Sequence, residues 1–190
     1  MSLSSTKYEI LETMLLYDSA LRALQVAKEI GKEFPSVLMH FIGLTRMGYT
    51  NSPEKGHYTI TEKGKKALGI PEINRENART ILAQVQQGKS FHFYASIGKP
   101  LSLHARSLQD FCDKIQKVNA DSIEFHVNRG DFEAWFVGLG DVELAKKAAL
   151  LKEKKMIGEE LRMRLHEIVE NRRIVVAIVA EHAVSPEGLN

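Results

Sequence analysis

The fold of the first third of the chain is decided by residues 35–68, which read PSVLMHFIGLTRMGYTNSPEKGHYTITEKGKKAL. Apolar side chains recur in the first part of this stretch at spacings of four and three residues. That spacing predicts a helix over residues 35–47 with one face buried in a core. The face is expected to consist of Val37, Phe41 and Leu44.

A β-hairpin and a short helix are predicted to follow. Two β-prone pieces, Tyr49–Thr50 and His57–Ile60, flank a tip that is rich in turn-forming residues. Thr61 is expected to cap the next helix, because a threonine hydroxyl at that position can accept a hydrogen bond from a free backbone N–H. Upstream, apolar periodicity predicts two helices, over residues 6–20 and 20–30.

This order of elements, three helices, a hairpin and a closing helix, is typical of one fold. Residues 7–68 resemble the winged-helix domains of prokaryotic regulators, especially small archaeal ones and their relatives of the MarR and ArsR type. The resemblance is carried by Val37–Leu44, the Gly48-Tyr49 ending, and GHYTITEKGKKAL at residues 56–68. It implies a winged helix-turn-helix over residues 1–70 and a DNA-binding transcription regulator as the function.

In such a domain the third helix enters the major groove and the hairpin, or wing, reaches the backbone or an adjacent groove. Residues 32–66 hold six basic and three acidic side chains, a net charge of +3 that suits phosphate contacts. One alternative is that these lysines form a solvated face, as runs of charge usually do. The other is a winged helix that docks another protein, because Arg46 is the only basic residue on the helix. The expected contacts with double-stranded DNA are Ser36, Met39, His40, Thr45, Arg46, Asn51, Ser52, Lys55, Lys63 and Lys65.

The second half is predicted to be mainly helical with one or two short β elements. Residues 71–89 are expected to contain a linker helix over 74–87, and residues 90–190 to form a dimerisation or sensor domain. A β-branched run over residues 174–180 favours a strand, although continuation of the preceding helix is the alternative. The overall fold class is therefore mainly α with small β elements. The helix N-caps expected in this half are Ser107, Asp121, Asp131 and Asp141.

Residues 90–172 resemble a small, mostly helical family of unknown function from archaea and bacteria. The motifs that carry the resemblance are Ser122–Val127, Gly130–Phe136 and Gly140–Ala145. This resemblance supplies no activity, so it leaves the role of the second half open.

A pocket for a small-molecule effector is predicted around Phe93, His126 and Trp135. The alternative of a metal-dependent enzyme would use histidines and carboxylates of this half, but they lack a recognised metal-ligand spacing. We therefore expect no catalytic residue, no metal and no cofactor, and a binding protein rather than an enzyme. The side chains considered for that alternative are His92, His104, Glu124, His126 and Asp131.

Composition limits the remaining classes. The 190 residues are 44% hydrophobic with a net charge of +2, the balance of an ordinary globular protein. Cys112 is the only cysteine, which excludes an internal disulfide and a cysteine-based zinc site. Because no apolar run approaches the length of a membrane span and the first residues do not read as a signal peptide, a cytoplasmic protein without membrane contact is expected.

Helices with apolar stripes outside residues 1–70 predict a homodimer.

Overall fold

The computed structural model describes residues 3–181, which divide into two compact units between Glu72 and Ile73. Both units are mainly helical with short antiparallel strands, which confirms the predicted fold class at that level. The outer limits predicted for the two domains, at residues 1 and 190, lie outside the described residues. No helix within residues 3–181 combines the length and the apolar character that crossing a membrane requires.

Over residues 3–72, the first unit contains four helices and a three-stranded sheet of order β1-β3-β2. Leu21 pairs with Tyr58, and Thr50 pairs with Ile60, so a two-residue strand joins the predicted hairpin. The second predicted helix therefore begins later than expected, at Ala23. In chain order the elements are α1 (Ser5–Tyr17), β1 (Leu21–Arg22), α2 (Ala23–Glu29), α3 (Phe34–Arg46), β2 (Thr50–Glu54), β3 (His57–Ile60) and α4 (Glu62–Ala67).

The core of the first unit forms around α3. Val37, Phe41 and Leu44 are fully buried, as the periodicity predicted. The Phe41 ring stacks on Tyr58 of β3 with 4.3 Å between the ring centroids, so the sheet covers the same face of α3. Full burial of each such side chain stabilises the fold by about 1.5–3 kcal/mol. This packing fixes which face of α3 points away from the core.

Over residues 73–181, the second unit contains six helices and one hairpin. Its first helix ends at Leu82 rather than at the predicted residue 87, and it packs on the last helix of the same unit instead of forming a separate linker. In chain order the elements are α5 (Arg75–Leu82), a single 3-10 turn (Gln87–Lys89), β4 (Phe91–Ser96), β5 (Lys99–Ala105), α6 (Leu108–Ile115), α7 (Ala120–Arg129), α8 (Asp131–Leu139), α9 (Val142–Glu153) and α10 (Gly158–Glu181).

The strand predicted over residues 174–180 is wrong, because α10 continues without interruption to Glu181. Arg172 and Val176 lie one helical turn apart and are both buried, whereas Ile174, Val175 and Ile178 are about half exposed. In a helix, this segment buries one face against the rest of the unit. That tertiary packing outweighs the β propensity of its branched side chains.

Two of the four expected N-caps in this half are confirmed. Ser107 accepts a hydrogen bond from the Asp110 N–H, and Asp141 accepts one from the Leu144 N–H. Asp121 is not a cap, since the side chain of Asn119 caps α7. Asp131 is not a cap either. Gly130, at a φ of +76°, ends α7 and begins α8, and the Asp131 carboxylate is engaged elsewhere.

Four buried charged side chains join α9 and α10. Arg172 donates from Nε to both carboxylate oxygens of Asp141, at 3.0 and 2.9 Å, and from Nη1 to Glu143 at 2.8 Å. Lys147 lies 3.1 Å from the other oxygen of Glu143. Two acids and two bases thus neutralise one another in the core, which is the condition for burying charge at tolerable cost.

Candidate functional site

The candidate interface in the first unit begins with the face of α3 that lies opposite the buried stripe. Ser36, Met39 and Arg46 are exposed on it, and 66% of the Met39 surface is accessible. His40 is half-buried beside the stripe. The structure therefore leaves three of the predicted contact residues on α3 open to a partner and partly covers His40.

Thr45, the fifth predicted contact on α3, has an intramolecular role. Its hydroxyl lies 2.9 Å from the Thr50 hydroxyl at the start of β2, and Thr50 is buried. This hydrogen bond ties the last turn of α3 to the hairpin. Thr45 thus links helix and hairpin within the unit, and its hydroxyl already has a partner.

The tip of the β2–β3 hairpin carries the next group of predicted contacts. Asn51, Ser52 and Lys55 are all exposed. The Asn51 side chain accepts a hydrogen bond from the Ser52 N–H, and the Ser52 hydroxyl donates to the Glu54 carbonyl, each at 2.9 Å. These bonds shape the tip, from which Lys55 extends a positive charge beside the exposed carboxylate of Glu54.

The two lysines predicted on α4 are held by neighbouring groups. Lys63 donates from Nζ to the Met47 carbonyl at 2.7 Å and lies over the Tyr49 ring, 4.9 Å from its centroid. Lys65 pairs with Glu62 at 3.3 Å, and only 17% of its side chain is exposed. Lys63 therefore closes the C-terminus of α3, and the positive charge of Lys65 is largely neutralised.

Two basic residues that the sequence analysis did not single out lie near these elements. Arg22 on β1 donates from Nε to His57 Nε2 at 3.1 Å, beside the hairpin. Lys7 on α1 approaches α3 so closely that a Cβ on Gly43 would lie 3.8 Å from its Nζ. A strand of two residues is too short to show periodicity, so the sequence does not predict the position of Arg22. The approach of Lys7 to α3 depends on how α1 packs, which no local pattern indicates.

The second unit has its most organised polar group at His126, which is buried in α7. The backbone N–H of Tyr94 donates to His126 Nε2 at 2.9 Å, and Nδ1 lies 2.7 Å from the Asp131 carboxylate. Because an amide N–H can only donate, Nε2 is the acceptor and Nδ1 carries the hydrogen. Burial lowers the pKa of His126, opposed in part by Asp131. The ring is therefore a neutral brace between β4 and α8, and both of its nitrogens are occupied.

A cavity of about 360 Å³ opens beside this histidine, between the β4–β5 hairpin and α7. We call it the hairpin cavity. Its walls combine aromatic, aliphatic and charged side chains. The residues that line it are Phe91, His92, Tyr94, Ile97, Gly98, Phe125, His126, Arg129 and Asp131.

Of the three residues predicted to form an effector pocket, the structure brings only His126 to the hairpin cavity. Phe93 is fully buried, 5.7 Å from Phe111 between ring centroids, and belongs to the core. Trp135 donates from Nε1 to the Lys89 carbonyl at 3.0 Å and its ring packs on Phe111. Spacing along β4 and α8 identified aromatic residues but not which side of each element faced the core.

The metal-site alternative finds no ligand cluster in the part of the chain that the structure describes. No group of three or more histidine, cysteine, aspartate and glutamate side chains there converges closely enough to hold a metal ion. His92 and His104 do pair across the hairpin, with 5.7 Å between ring centroids. Burial raises the pKa of Cys112 to about 12, so this thiol stays protonated at neutral pH.

Comparisons with curated proteins and with solved structures each give no significant match. A family model described as a family of unknown function, DUF5752, matches residues 70–170, which span the hairpin cavity and α5–α9. The match covers more than half of the chain. The chain therefore belongs to the DUF5752 family of unknown function.

Proposed function

We propose that the first unit is a winged helix that binds double-stranded DNA, and that the protein is a transcription regulator acting by binding, without chemistry. The observation that carries the proposal is the combination of a buried Val37–Phe41–Leu44 stripe with an exposed opposite face of α3 next to an exposed hairpin. A helix and a hairpin projecting from one small domain are the two elements that a winged helix applies to a duplex.

The dimensions of α3 support this proposal. Its 13 residues span about 20 Å at 1.5 Å per residue, and a helix fits the major groove of B-form DNA. Ser36 and Met39 lie in the first two turns, while Arg46 lies in the last. Ser36 and Met39 would face base edges, and Arg46 would contact a phosphate.

The exposed basic side chains of the first unit are enough for a few phosphate contacts. Arg46 on α3 and Lys55 at the hairpin tip are both exposed, and Arg22 adds a guanidinium beside β3. Each phosphate contact releases counterions, so affinity should fall with salt at a slope set by this small number. Lys63 and Lys65 contribute less, because their ammonium groups already bind Met47 and Glu62.

Docking of a protein is the second candidate function. It is favoured by the 66% exposure of Met39 at the centre of the outward face of α3 and by the presence of one basic residue on that helix. An exposed methionine suits an apolar protein surface better than a phosphate backbone. A docked protein would use the same outward face of α3 as DNA would.

A second copy of the chain is the partner that a regulator of palindromic sites requires, because two-fold dimers place their reading helices about 34 Å apart. Ile174 and Ile178 form a half-exposed apolar strip on α10 away from its buried face, and Val175, also half exposed, extends the strip toward the edge of that face. We propose that this strip takes part in a homodimer. Sedimentation velocity should give a dimer, and exchange of Ile174 and Ile178 for glutamate should give a folded monomer. A wild-type monomer at high concentration would contradict this.

The function is tested by titrating the 15N-labelled protein with random-sequence duplex DNA, followed by selection of the preferred sequence. The proposal predicts chemical-shift changes in the amides of α3 and the β2–β3 hairpin. Changes confined to the second unit, or none at all, would contradict it. In that case a protein partner for the Met39 face becomes the better explanation.

A further inference from the structure

The hairpin cavity has the build of a small-molecule site. Its volume of about 360 Å³ falls within the range of ligand pockets, and its walls combine aromatic ring surfaces with histidine, arginine and aspartate side chains. Phe91, Tyr94 and Phe125 supply ring surfaces, and Ile97, with 79% of its surface exposed, lies at the hairpin turn.

The polar wall of this cavity is held in place before any ligand arrives. The backbone of Tyr94 is fixed to α7 by two hydrogen bonds. Its N–H donates to His126, and its carbonyl accepts from the Ser122 hydroxyl at 2.7 Å. Asp131 accepts from Nδ1 of the same histidine. A pre-formed wall reduces the entropy lost on binding.

Arg129 is the charged group that this wall orients. Its Nε lies 3.1 Å from the Asp131 carboxylate, and its Cζ lies over the Phe125 ring, 5.2 Å from the centroid. The contact uses Nε, so the outer edge of the guanidinium, with its two Nη groups, is not needed to hold Asp131. Half of the side chain is exposed, which leaves that edge accessible.

A guanidinium edge next to ring surfaces selects a particular chemistry. Two parallel N–H groups match the two oxygens of a carboxylate, and the flanking rings match a flat apolar body. Asp131 also lines the cavity, so its negative charge disfavours a ligand with more than one anionic group. We propose that the hairpin cavity binds a small monocarboxylate with an aromatic ring, its carboxylate on Arg129. This inference is independent of DNA binding by the first unit.

The test uses isothermal titration of the full chain with benzoate and phenylacetate. Acetate, which lacks the ring, and benzamide, which lacks the charge, serve as matched probes. We expect saturable binding of an aromatic acid in the millimolar range or tighter, and binding at least about tenfold weaker for both matched probes. In spectra of the 15N-labelled protein, the Tyr94 and Gly98 amides should shift on binding.

Two pairs of variants test whether Arg129 binds the carboxylate of the ligand. Arg129→Gln should weaken binding at least about tenfold, whereas Arg79→Gln, an exposed arginine on α5, should leave it unchanged. Because Arg129→Gln also removes a partner of Asp131, a second pair at the exposed turn keeps the test independent of folding. Ile97→Asp should weaken binding several-fold more than Ile97→Asn, since only the aspartate repels a carboxylate.

Three results would overturn the inference. The first is no saturable binding of either aromatic acid up to about 10 mM. The second is equal binding of the uncharged amide, which would remove the role of the guanidinium. The third is binding that persists unchanged in Arg129→Gln and Ile97→Asp, which would locate the ligand elsewhere. Trp135 fluorescence checks that each variant retains the fold of the second unit.

Discussion

The carbonyl oxygen of Tyr49 occupies the space where Gly64 would carry a Cβ, since an added Cβ would lie 2.3 Å from that oxygen. The same carbonyl accepts a hydrogen bond from the Thr61 N–H at 3.1 Å. The helix α4 thus packs directly on the backbone that joins α3 to β2. Glycine is required at residue 64 because of this close approach, not because of its backbone angles.

Gly64→Ala should destabilise the first unit by about 1–3 kcal/mol, the usual cost of forcing a methyl group into occupied space. Hydrogen exchange at the buried Val37 and Phe41 amides would report the change. Gly43→Ala is the matched control. Its Cβ would meet Lys7 at an ordinary 3.8 Å, and alanine in a helix stabilises by about 0.5–1 kcal/mol. Equal effects of the two substitutions would contradict the packing described here.

The buried charge network of the second unit gives a second prediction. Arg172→Met should lower the free energy of unfolding of the second unit by about 3–5 kcal/mol. Asp141, which is buried, would lose the guanidinium that binds both of its oxygens, and Glu143 would keep Lys147 but lose its contact with Arg172. The neighbouring Arg173 pairs with Glu170 where both side chains are about a third exposed, so Arg173→Met should cost less than about 1 kcal/mol.

Urea unfolding followed by fluorescence of Trp135, the only tryptophan, measures both variants. A loss of similar size for Arg172→Met and Arg173→Met would show that the buried network contributes no more than a surface pair.

The stability of the second unit should also depend on the protonation of His126. Burial lowers its pKa below the ordinary histidine value of about 6.5, so the unfolded chain takes up a proton that the folded state resists. The stabilisation is therefore fully present above pH 6.5 and is lost as the pH falls toward the lowered value.

NMR titration of the His126 ring should give a pKa below that of an unfolded control peptide. Unfolding between about pH 7.5 and 5.5 should show a loss of stability that His126→Gln reduces and His104→Gln, on the exposed side of the hairpin, does not. A His126 pKa at or above the peptide value would contradict the burial argument.

Local interactions explain which parts of the fold were predictable. The stripe of Val37, Phe41 and Leu44 and the caps at Thr61 and Ser107 were predicted correctly, because periodicity and capping act within a few residues. Residues 174–180 were assigned to a strand because their helical state depends on the side of α10 that packs within the unit.

Long-range contacts explain what the sequence analysis missed in the candidate sites. Asp131 was expected to cap a helix, but its partner is His126 across the α7–α8 turn. Arg129 and Phe125 were not singled out, since their roles depend on the approach of the β4–β5 hairpin to α7. Thr45 was predicted to face DNA from its position opposite the buried stripe of α3, and Lys63 and Lys65 from their charge. The intramolecular partners of these three side chains follow no pattern that periodicity or capping reveals.

Binding of the full chain to duplex DNA at increasing salt is the measurement that tests the central claim most directly. Fluorescence anisotropy should show affinity that falls with salt at the slope of a few phosphate contacts, and Arg46→Ala and Lys55→Ala should each weaken binding and flatten the logarithmic slope by about one. Lys152→Ala, an exposed lysine of the second unit, is the control and should change neither quantity. Absence of salt-dependent binding, or an affinity and slope that Arg46→Ala and Lys55→Ala leave unchanged, would contradict the assignment of α3 and the β2–β3 hairpin as a DNA-binding surface.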